Sequence, residues 1–225
     1  MHTRLRFNAV CFDCDSTLTR LEGIDELARR AGCFDEIAGL TNAAMDGRVA
    51  LEDVYAKRLG LIRPDRAALA WLGARYGEDI VPGAKETIAE LKRSGAAVYV
   101  VSGGLLQAVA PFAATLGVEE SHVHAVAIDF DSAGAYCGFD TASPLARSDG
   151  KAVICRTLAE RHGCVAIVGD GVTDLAARDG GAYVIGFGGV VERQAVKQGA
   201  DYFASALSLT CTLDALISNV ELENS

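Results

Sequence analysis

Short apolar runs alternate with helical patterns from residue 82 onward, and this alternation constrains the fold more than any other feature of the chain. The strand-like runs are Phe7–Asp13, Ala97–Ser102, His122–Phe130, Cys164–Asp170, Ala182–Phe187 and Asp201–Ala204. Helical patterns fall at Ala84–Arg93, Leu105–Leu116, Lys151–His162, Thr173–Asp179, Val190–Lys197 and Leu207–Ile217. Strand and helix in alternation predict an α/β fold: a doubly wound parallel sheet covered by helices on both faces. His122–Phe130 and Ala135–Phe139, joined by Asp131-Ser132-Ala133-Gly134, predict a hairpin.

Residues 18–81 break the alternation and read as helices only, at Gly23–Ala31, Asp35–Met45, Leu51–Leu61 and Arg66–Tyr76. Pro82-Gly83 marks the return to the sheet. We therefore expect residues 1–17 and 82–225 to form a Rossmann-like core, with 18–81 inserted after its first strand. The insertion enters beside a strand end, so it hangs over the crevice where open α/β sheets collect ligands.

Asp13-Cys14-Asp15-Ser16-Thr17 closes the first apolar run. Two carboxylates one residue apart on an extended strand point the same way. Their repulsion is relieved by a bound cation or a shared proton. One can then hold Mg²⁺ and act as a nucleophile while the other carries a proton. Three more polar sites end or follow later runs. Ser102-Gly103-Gly104 offers a hydroxyl and closely approachable backbone N–H groups to a phosphate. Lys151 offers a point charge at a helix start. Asp170-Gly171-Val172-Thr173-Asp174 adds a third carboxylate for a hard, six-coordinate cation, and Asp174 can orient the metal shell. Each site alone has a local explanation as a turn or a helix cap. Together, at the carboxyl ends of strands, they face one crevice.

In order and content these motifs resemble those of the haloacid dehalogenase superfamily of aspartate-nucleophile phosphatases. Within it, the chain resembles the phosphoserine phosphatase family over nearly its whole length. The carrying segments are 12–17, 22–28, 44–47, 58–62, 101–104 and 185–189. The resemblance implies a small all-helical cap at 18–81 that closes over the site. It implies an Mg²⁺-dependent phosphomonoesterase that hydrolyses O-phospho-L-serine, the last step of serine biosynthesis, through an aspartyl-phosphate. Asp13 would be the nucleophile and Asp15 the general acid and base. Mg²⁺ would be bound by Asp13, by the backbone carbonyl of Asp15 and by Asp170, with Asp174 supporting the shell. Ser102, Gly103 and Lys151 would bind phosphate. In the cap, Glu22 would meet the substrate ammonium and Arg58 its carboxylate, with Met45 and Leu51 lining the pocket and Thr173 contacting substrate from the core. The chain departs from the family at Ala125-Val126-Ala127, where Ala-Asn-Arg is common. A phosphatase or phosphotransferase for another small phosphomonoester is the next reading, and a non-enzymatic Mg²⁺-binding regulator the last. A full set of acidic residues with Ser102 and Lys151 argues against the regulator.

The bulk numbers bound these readings. A chain of 225 residues, half of them hydrophobic, can bury one good core. A net charge of −9 argues against nucleic-acid or anionic-membrane partners, and leaves a small-molecule substrate. No apolar run approaches the roughly 20 residues of a membrane-spanning helix. Asn8 and Asp13 interrupt the first apolar stretch, so no secretory leader is expected. Seven scattered cysteines fit free thiols in a reducing cytoplasm. Cys11-Phe12-Asp13-Cys14 spells a redox spacing without the helix that such a pair needs. His122 and His124 share a strand face without a third metal ligand, and Trp71 and Tyr76 are expected to pack within the cap. A monomer or a homodimer is expected.

Overall fold

The structure, a computed structural model, describes residues 2–46 and 48–220, and the side chains of 5–44, 46 and 48–217. Along the chain, β1 spans His2–Leu5 and β2 spans Ala9–Phe12. Four helices follow: α1 (Gly23–Ala31), α2 (Phe34–Met45), α3 (Leu51–Ile62) and α4 (Arg66–Glu78). Then come α5 (Ala84–Arg93), β3 (Ala97–Leu105), α6 (Leu106–Thr115), β4 (Val123–Val126), β5 (Ile128–Phe130) and β6 (Tyr136–Phe139). The last part holds α7 (Gly150–His162), β7 (Val165–Gly169), α8 (Val172–Ala176), β8 (Tyr183–Phe187), α9 (Gln194–Gly199), β9 (Tyr202–Ala204), α10 (Leu213–Leu216) and β10 (Ile217–Val220).

Six strands form one parallel sheet in the order β4-β3-β2-β7-β8-β9. The order reverses at β2: the chain first builds outward through β3 and β4, then returns to β2's other edge with β7. Such a switch point opens a crevice at the carboxyl ends of the strands. All four residues of β2 and all five of β7 are buried. Helices cover both faces, so these strands read as continuous apolar runs rather than alternating ones.

The helical segment is tied to the sheet layer at its neck. Thr19 and Ile80 form an antiparallel bridge, and the Val81 N–H donates to the Leu18 carbonyl at 2.9 Å. Helix α1 has Asp25 and Glu26 in its first turn and Arg29 and Arg30 in its last, matching the helix dipole. Helix α4 starts at Asp65, whose side chain accepts from the Ala68 N–H at 2.6 Å.

Four sequence expectations are corrected. His122–Phe130 is not one strand. It divides at Ala127 into β4, in the main sheet, and β5, which pairs antiparallel with β6. The Gln107 amide makes the break: its Nε2 donates to the Ile128 carbonyl at 2.7 Å and its Oε1 accepts the Ile128 N–H at 3.1 Å. A side chain thus supplies the partners that a neighbouring strand would otherwise give. Helix α9 begins at Gln194, not Val190, and Arg193 is extended. Leu207–Ile217 divides into a 3₁₀ turn at Leu209–Thr212, the short α10 and β10. Strand β10 pairs with β1, a ribbon that the polar His2–Leu5 segment did not announce. Tyr76 is fully buried but looks out of the helical segment, with its ring 5.4 Å from Phe112 of α6. Trp71 is partly buried under the Arg30 guanidinium.

Candidate active site

Asp13 follows β2 directly and Asp170 follows β7. The two strands are in parallel register, Phe12 beside Val168, and the Asp13 N–H continues the ladder to the Val168 carbonyl at 2.9 Å. Sheet geometry therefore delivers both carboxylates to one point. The chain leaves the sheet after Phe12 and curls, with the Leu18 and Thr19 N–H groups donating to the Cys14 carbonyl and Ser16 at φ 51°. Asp13 and Asp15 meet through this turn, not through strand alternation. Cys14 lies buried inside the turn, where burial and the neighbouring carboxylates push its thiol well up.

Ser102, Gly103 and Gly104 form a bulge rather than a strand end. Between Val101 and Leu105, β3 spends four residues where β4 spends two, from His124 to Val126. The bulge swings Ser102 to the pocket, and its Oγ accepts the Gly104 N–H at 3.1 Å. Lys151 is the second residue of α7. Its Nζ lies 2.7 Å from Asp13 Oδ2 and 2.6 Å from Asp174 Oδ1. The other oxygen of Asp174 accepts the Gly171 N–H at 3.0 Å. Gly169 makes room for this: a Cβ there would lie 2.1 Å from the Asp174 carboxyl carbon.

The helical segment closes over this floor. Glu22, Thr41, Leu51, Tyr55, Arg58 and Tyr76 line the same pocket as Asp13, Asp15, Ser102, Gly103, Lys151, Asp170 and Thr173. Glu22 accepts from the Ser16 hydroxyl at 2.8 Å. Arg58 is buried, with its Nε unpartnered among the described residues. Met45 lies at the end of α2, and its side chain lies outside the described residues. The divergent Ala125-Val126-Ala127 does not line the pocket: Val126 is buried in β4 opposite Leu105. His122 and His124 stack against Tyr99, with ring centroids 4.2 and 6.0 Å away.

Several residues here escaped the sequence reading. Arg193 reaches in from the extended segment before α9, its Nε 3.2 Å from Asp170 Oδ2 and its Nη1 2.9 Å from Asp46 Oδ1. The Tyr55 hydroxyl donates to the Gly103 carbonyl at 2.9 Å. Ser148 Oγ accepts from the Leu51 N–H at 2.9 Å and donates to Glu52 at 2.8 Å. No sequence signal marked these, because each joins the helical segment to a distant loop.

Charge at the floor is unbalanced. Five carboxyl groups (Asp13, Asp15, Glu22, Asp170 and Asp174) crowd Lys151 and Arg193, the cations paired with them, while Arg58 and Arg147 line the pocket farther from them, without an ion pair to any of the five. Burial, reinforced by the Asp13 charge, raises Asp15 to about 7. Burial and then Asp15 raise Glu22 to about 8. Burial raises Asp174 to about 6 against the pull of Lys151, and Asp170 is pushed well up by burial, Glu22 and Asp13. Burial alone would lower Lys151, but Asp13 and Asp174 outweigh it and its pKa rises. A divalent cation relieves the same excess. Asp13, Asp170 and Asp174 offer carboxylate oxygens within 4.8 Å of one another, an all-oxygen set suited to a hard cation. Both oxygens of Asp174 are already engaged, whereas Asp170 Oδ1 and the buried Asp15 Oδ1 have no partner among the described residues.

The family model of the haloacid dehalogenase-like hydrolases matches residues 7–178. The phosphoserine phosphatase of Bos taurus is 37% identical over 198 residues, covering 87% of this chain and 88% of its own. A solved substrate-bound phosphoserine phosphatase complex aligns with a TM-score of 0.82 at 28% identity, covering 94% of this chain and 99% of its own. A phospho-aspartyl intermediate analogue of phosphoserine phosphatase aligns equally well, with a TM-score of 0.82 at 29% identity over 93% and 99% of the two chains. The chain belongs to the haloacid dehalogenase-like hydrolases and, within them, to the phosphoserine phosphatase family.

Proposed function

We propose that this protein is an Mg²⁺-dependent phosphomonoesterase that hydrolyses O-phosphoserine to serine and phosphate, with residues 18–81 as a cap on a core formed by 1–17 and 82–225. One observation carries the reading: Lys151 bridges Asp13 and Asp174 at the pocket floor, while a buried Arg58 and Glu22 face the same pocket from the helices.

Asp13 attacks phosphorus in line. Its new O–P bond forms as the bond from phosphorus to the seryl oxygen breaks, giving an aspartyl-phosphate. Asp15, held protonated by its buried setting, gives its proton to the departing oxygen. A water then attacks phosphorus, Asp15 takes its proton, and the Asp13 carboxylate is released. The Ser102 hydroxyl, the Gly103 N–H and Lys151 bind the phosphoryl oxygens. Asp13, the Asp15 backbone carbonyl and Asp170 would hold the metal, with Asp174 orienting the group, and the ion would supply positive charge to neutralise the phosphoryl oxygens. Arg58 pairs with the substrate carboxylate, Glu22 with its ammonium, and Met45, Leu51 and Thr173 complete the pocket.

We place the enzyme in the cytoplasm, because its cysteines are free thiols, which a reducing compartment preserves. No described helix is long and apolar enough to cross a membrane. The test of function is phosphate release from a panel of phosphorylated metabolites with and without Mg²⁺. Phosphoserine should lead the panel, and activity should vanish in chelator. A different leading substrate would refute the substrate assignment, and metal-independent turnover would refute the cofactor.

A further inference from the structure

We propose that Asp25 and Thr41 are positioning residues: they fix the guanidinium of Arg58 and thereby set the preference for a substrate that carries a carboxylate. The proposal rests on the reading of phosphoserine as substrate. The three residues come from three cap helices, α1, α2 and α3. Thr41 Oγ1 donates to Asp25 Oδ1 at 2.8 Å, and Arg58 Nη1 donates to Thr41 Oγ1 at 3.3 Å. A hydroxyl carries one hydrogen and two lone pairs. Asp25 takes the hydrogen, so a lone pair is left to receive Arg58. The Ile37 carbonyl, 3.4 Å from the same hydroxyl, is the weaker rival for that hydrogen.

The placement of Asp25 needs a reason. It is only 7% exposed, and burying a carboxylate is costly unless it is well partnered. Among the described residues it forms no ion pair, and Thr41 is its one side-chain hydrogen-bond partner. A packed apolar residue would serve the helix interface better. What Asp25 does supply is an oriented hydroxyl and a negative charge on the far side of Thr41 from Arg58.

Arg58 shows what that orientation achieves. With Nη1 tied to Thr41, the edge formed by Nε and Nη2 remains, the fork that grips a carboxylate bidentately. Nε is buried and unpartnered among the described residues, and Arg58 lines the pocket. The Tyr55 ring, 5.7 Å from the guanidinium carbon, restricts it further. An arginine free to rotate would pay that ordering cost on binding each substrate molecule.

The test uses the full-length enzyme with Mg²⁺ and two substrates, phosphoserine and p-nitrophenyl phosphate, which lacks the carboxylate. Thr41→Val removes the hydroxyl at constant shape, Thr41→Ser keeps it, and Asp25→Asn keeps an acceptor without the charge. Thr41→Val should raise the KM for phosphoserine about tenfold or more, with a much smaller change in kcat, the scale of one hydrogen bond to a charged group. The ratio of specificity constants, phosphoserine over aryl ester, should fall by the same factor. Thr41→Ser should restore the ratio, and Asp25→Asn should fall between them. In an Arg58→Ala background Thr41→Val should lower the ratio no further, since the two act through one contact. Loss of both substrates in parallel, with a lowered Tm and no rescue by serine, would reduce the pair to a structural role. An unchanged ratio in Thr41→Val, in an enzyme that still prefers phosphoserine, would overturn the relay alone. A wild-type enzyme without that preference would overturn the substrate reading and the relay with it.

Discussion

Arg193 Nη1 lies 2.9 Å from Asp46 Oδ1, so a loop beyond β8 grips the end of cap helix α2. The same guanidinium reaches Asp170 through Nε at 3.2 Å. One arginine therefore joins the helical segment to the carboxylates proposed to hold the metal. The two contacts differ in weight. Asp170 is 2% exposed and Asp46 is 40% exposed. Arg193→Ala should thus cost about 2–5 kcal/mol in transition-state binding, the loss from stranding a buried charge. Asp46→Ala should cost about 1 kcal/mol or less, as at an exposed pair. The specificity constants of the two variants check this, and equal losses would place the function of Arg193 at the cap alone. Hydrogen exchange in 46–51 should rise in both.

The floor of this site was legible because its chemistry sits where apolar runs stop. Asp13, Ser102, Lys151, Asp170 and Asp174 each lie within a few residues of a strand end or helix start, and a parallel sheet gathers such positions at one edge. Arg193 was not legible. It occupies an extended stretch that reads as the start of a helix, and its partners are 23 and 147 residues away. Tyr76 fits the apolar stripe of α4, and nothing in that stripe reveals that it faces Phe112 and Asp15. The bulge at Ser102–Gly104 depends on the register against β4, a property of the pair that neither strand carries alone. The β1–β10 ribbon joins residues at opposite ends of the chain, beyond the reach of local periodicity.

Asp13→Asn should lower turnover by more than about 10⁴-fold while the protein stays folded, because an amide is not a nucleophile. Lys151 keeps its contact with Asp174 in this variant, so the floor is not left without charge pairing. No radiolabelled phosphate should become covalently attached to the variant during turnover of labelled substrate. Near-normal turnover would move the nucleophile elsewhere. Ca²⁺ should fail to replace Mg²⁺, since its higher coordination number allows it to engage both oxygens of a carboxylate and leave none free to attack.

Stability of the metal-free enzyme should fall as pH rises from about 4 to about 8, the window between the ordinary carboxylate pKa and the raised values of Asp15 (about 7) and Glu22 (about 8). The sign follows from proton counting. Burial raises both groups, so across that window the folded state holds protons that the unfolded chain has lost. Raising pH then favours the unfolded chain. The charge of Mg²⁺ opposes those protons, and the ion competes directly for Asp170, whose carboxyl burial also pushes well up, so it should stabilise more at pH 8 than at pH 5. Urea unfolding at the two pH values, with and without Mg²⁺, measures both effects. Metal-free stability that stays flat or climbs between pH 5 and pH 8 would show that Asp15 and Glu22 hold no extra protons in the folded enzyme.

The roles proposed for Arg58 and Glu22, toward the substrate carboxylate and ammonium, are separated by substrates that lack one charge or the other. O-phosphoethanolamine keeps the ammonium of phosphoserine and lacks the carboxylate. The corresponding 2-hydroxy-3-phosphopropionate keeps the carboxylate and lacks the ammonium. Arg58→Ala removes the buried partner of a carboxylate, which should cost about 2–5 kcal/mol with phosphoserine. The cost should be far smaller with phosphoethanolamine, which never used the contact. Glu22→Gln should show the opposite pattern, costing about 1–3 kcal/mol with both amines and much less with the hydroxy acid. The Glu22 effect should also depend on pH. In the free enzyme burial and Asp15 hold this carboxyl at about 8, so it must release its proton to meet an ammonium at neutral pH. The KM for phosphoserine should therefore fall as pH rises from 6 toward 8 in the wild type, and that slope should flatten in Glu22→Gln. If Arg58→Ala instead weakened phosphoethanolamine as much as phosphoserine, the guanidinium would serve the phosphate or the fold of the cap. Its tie to Thr41 and Asp25 would then have to be read as packing of three helices and not as aim.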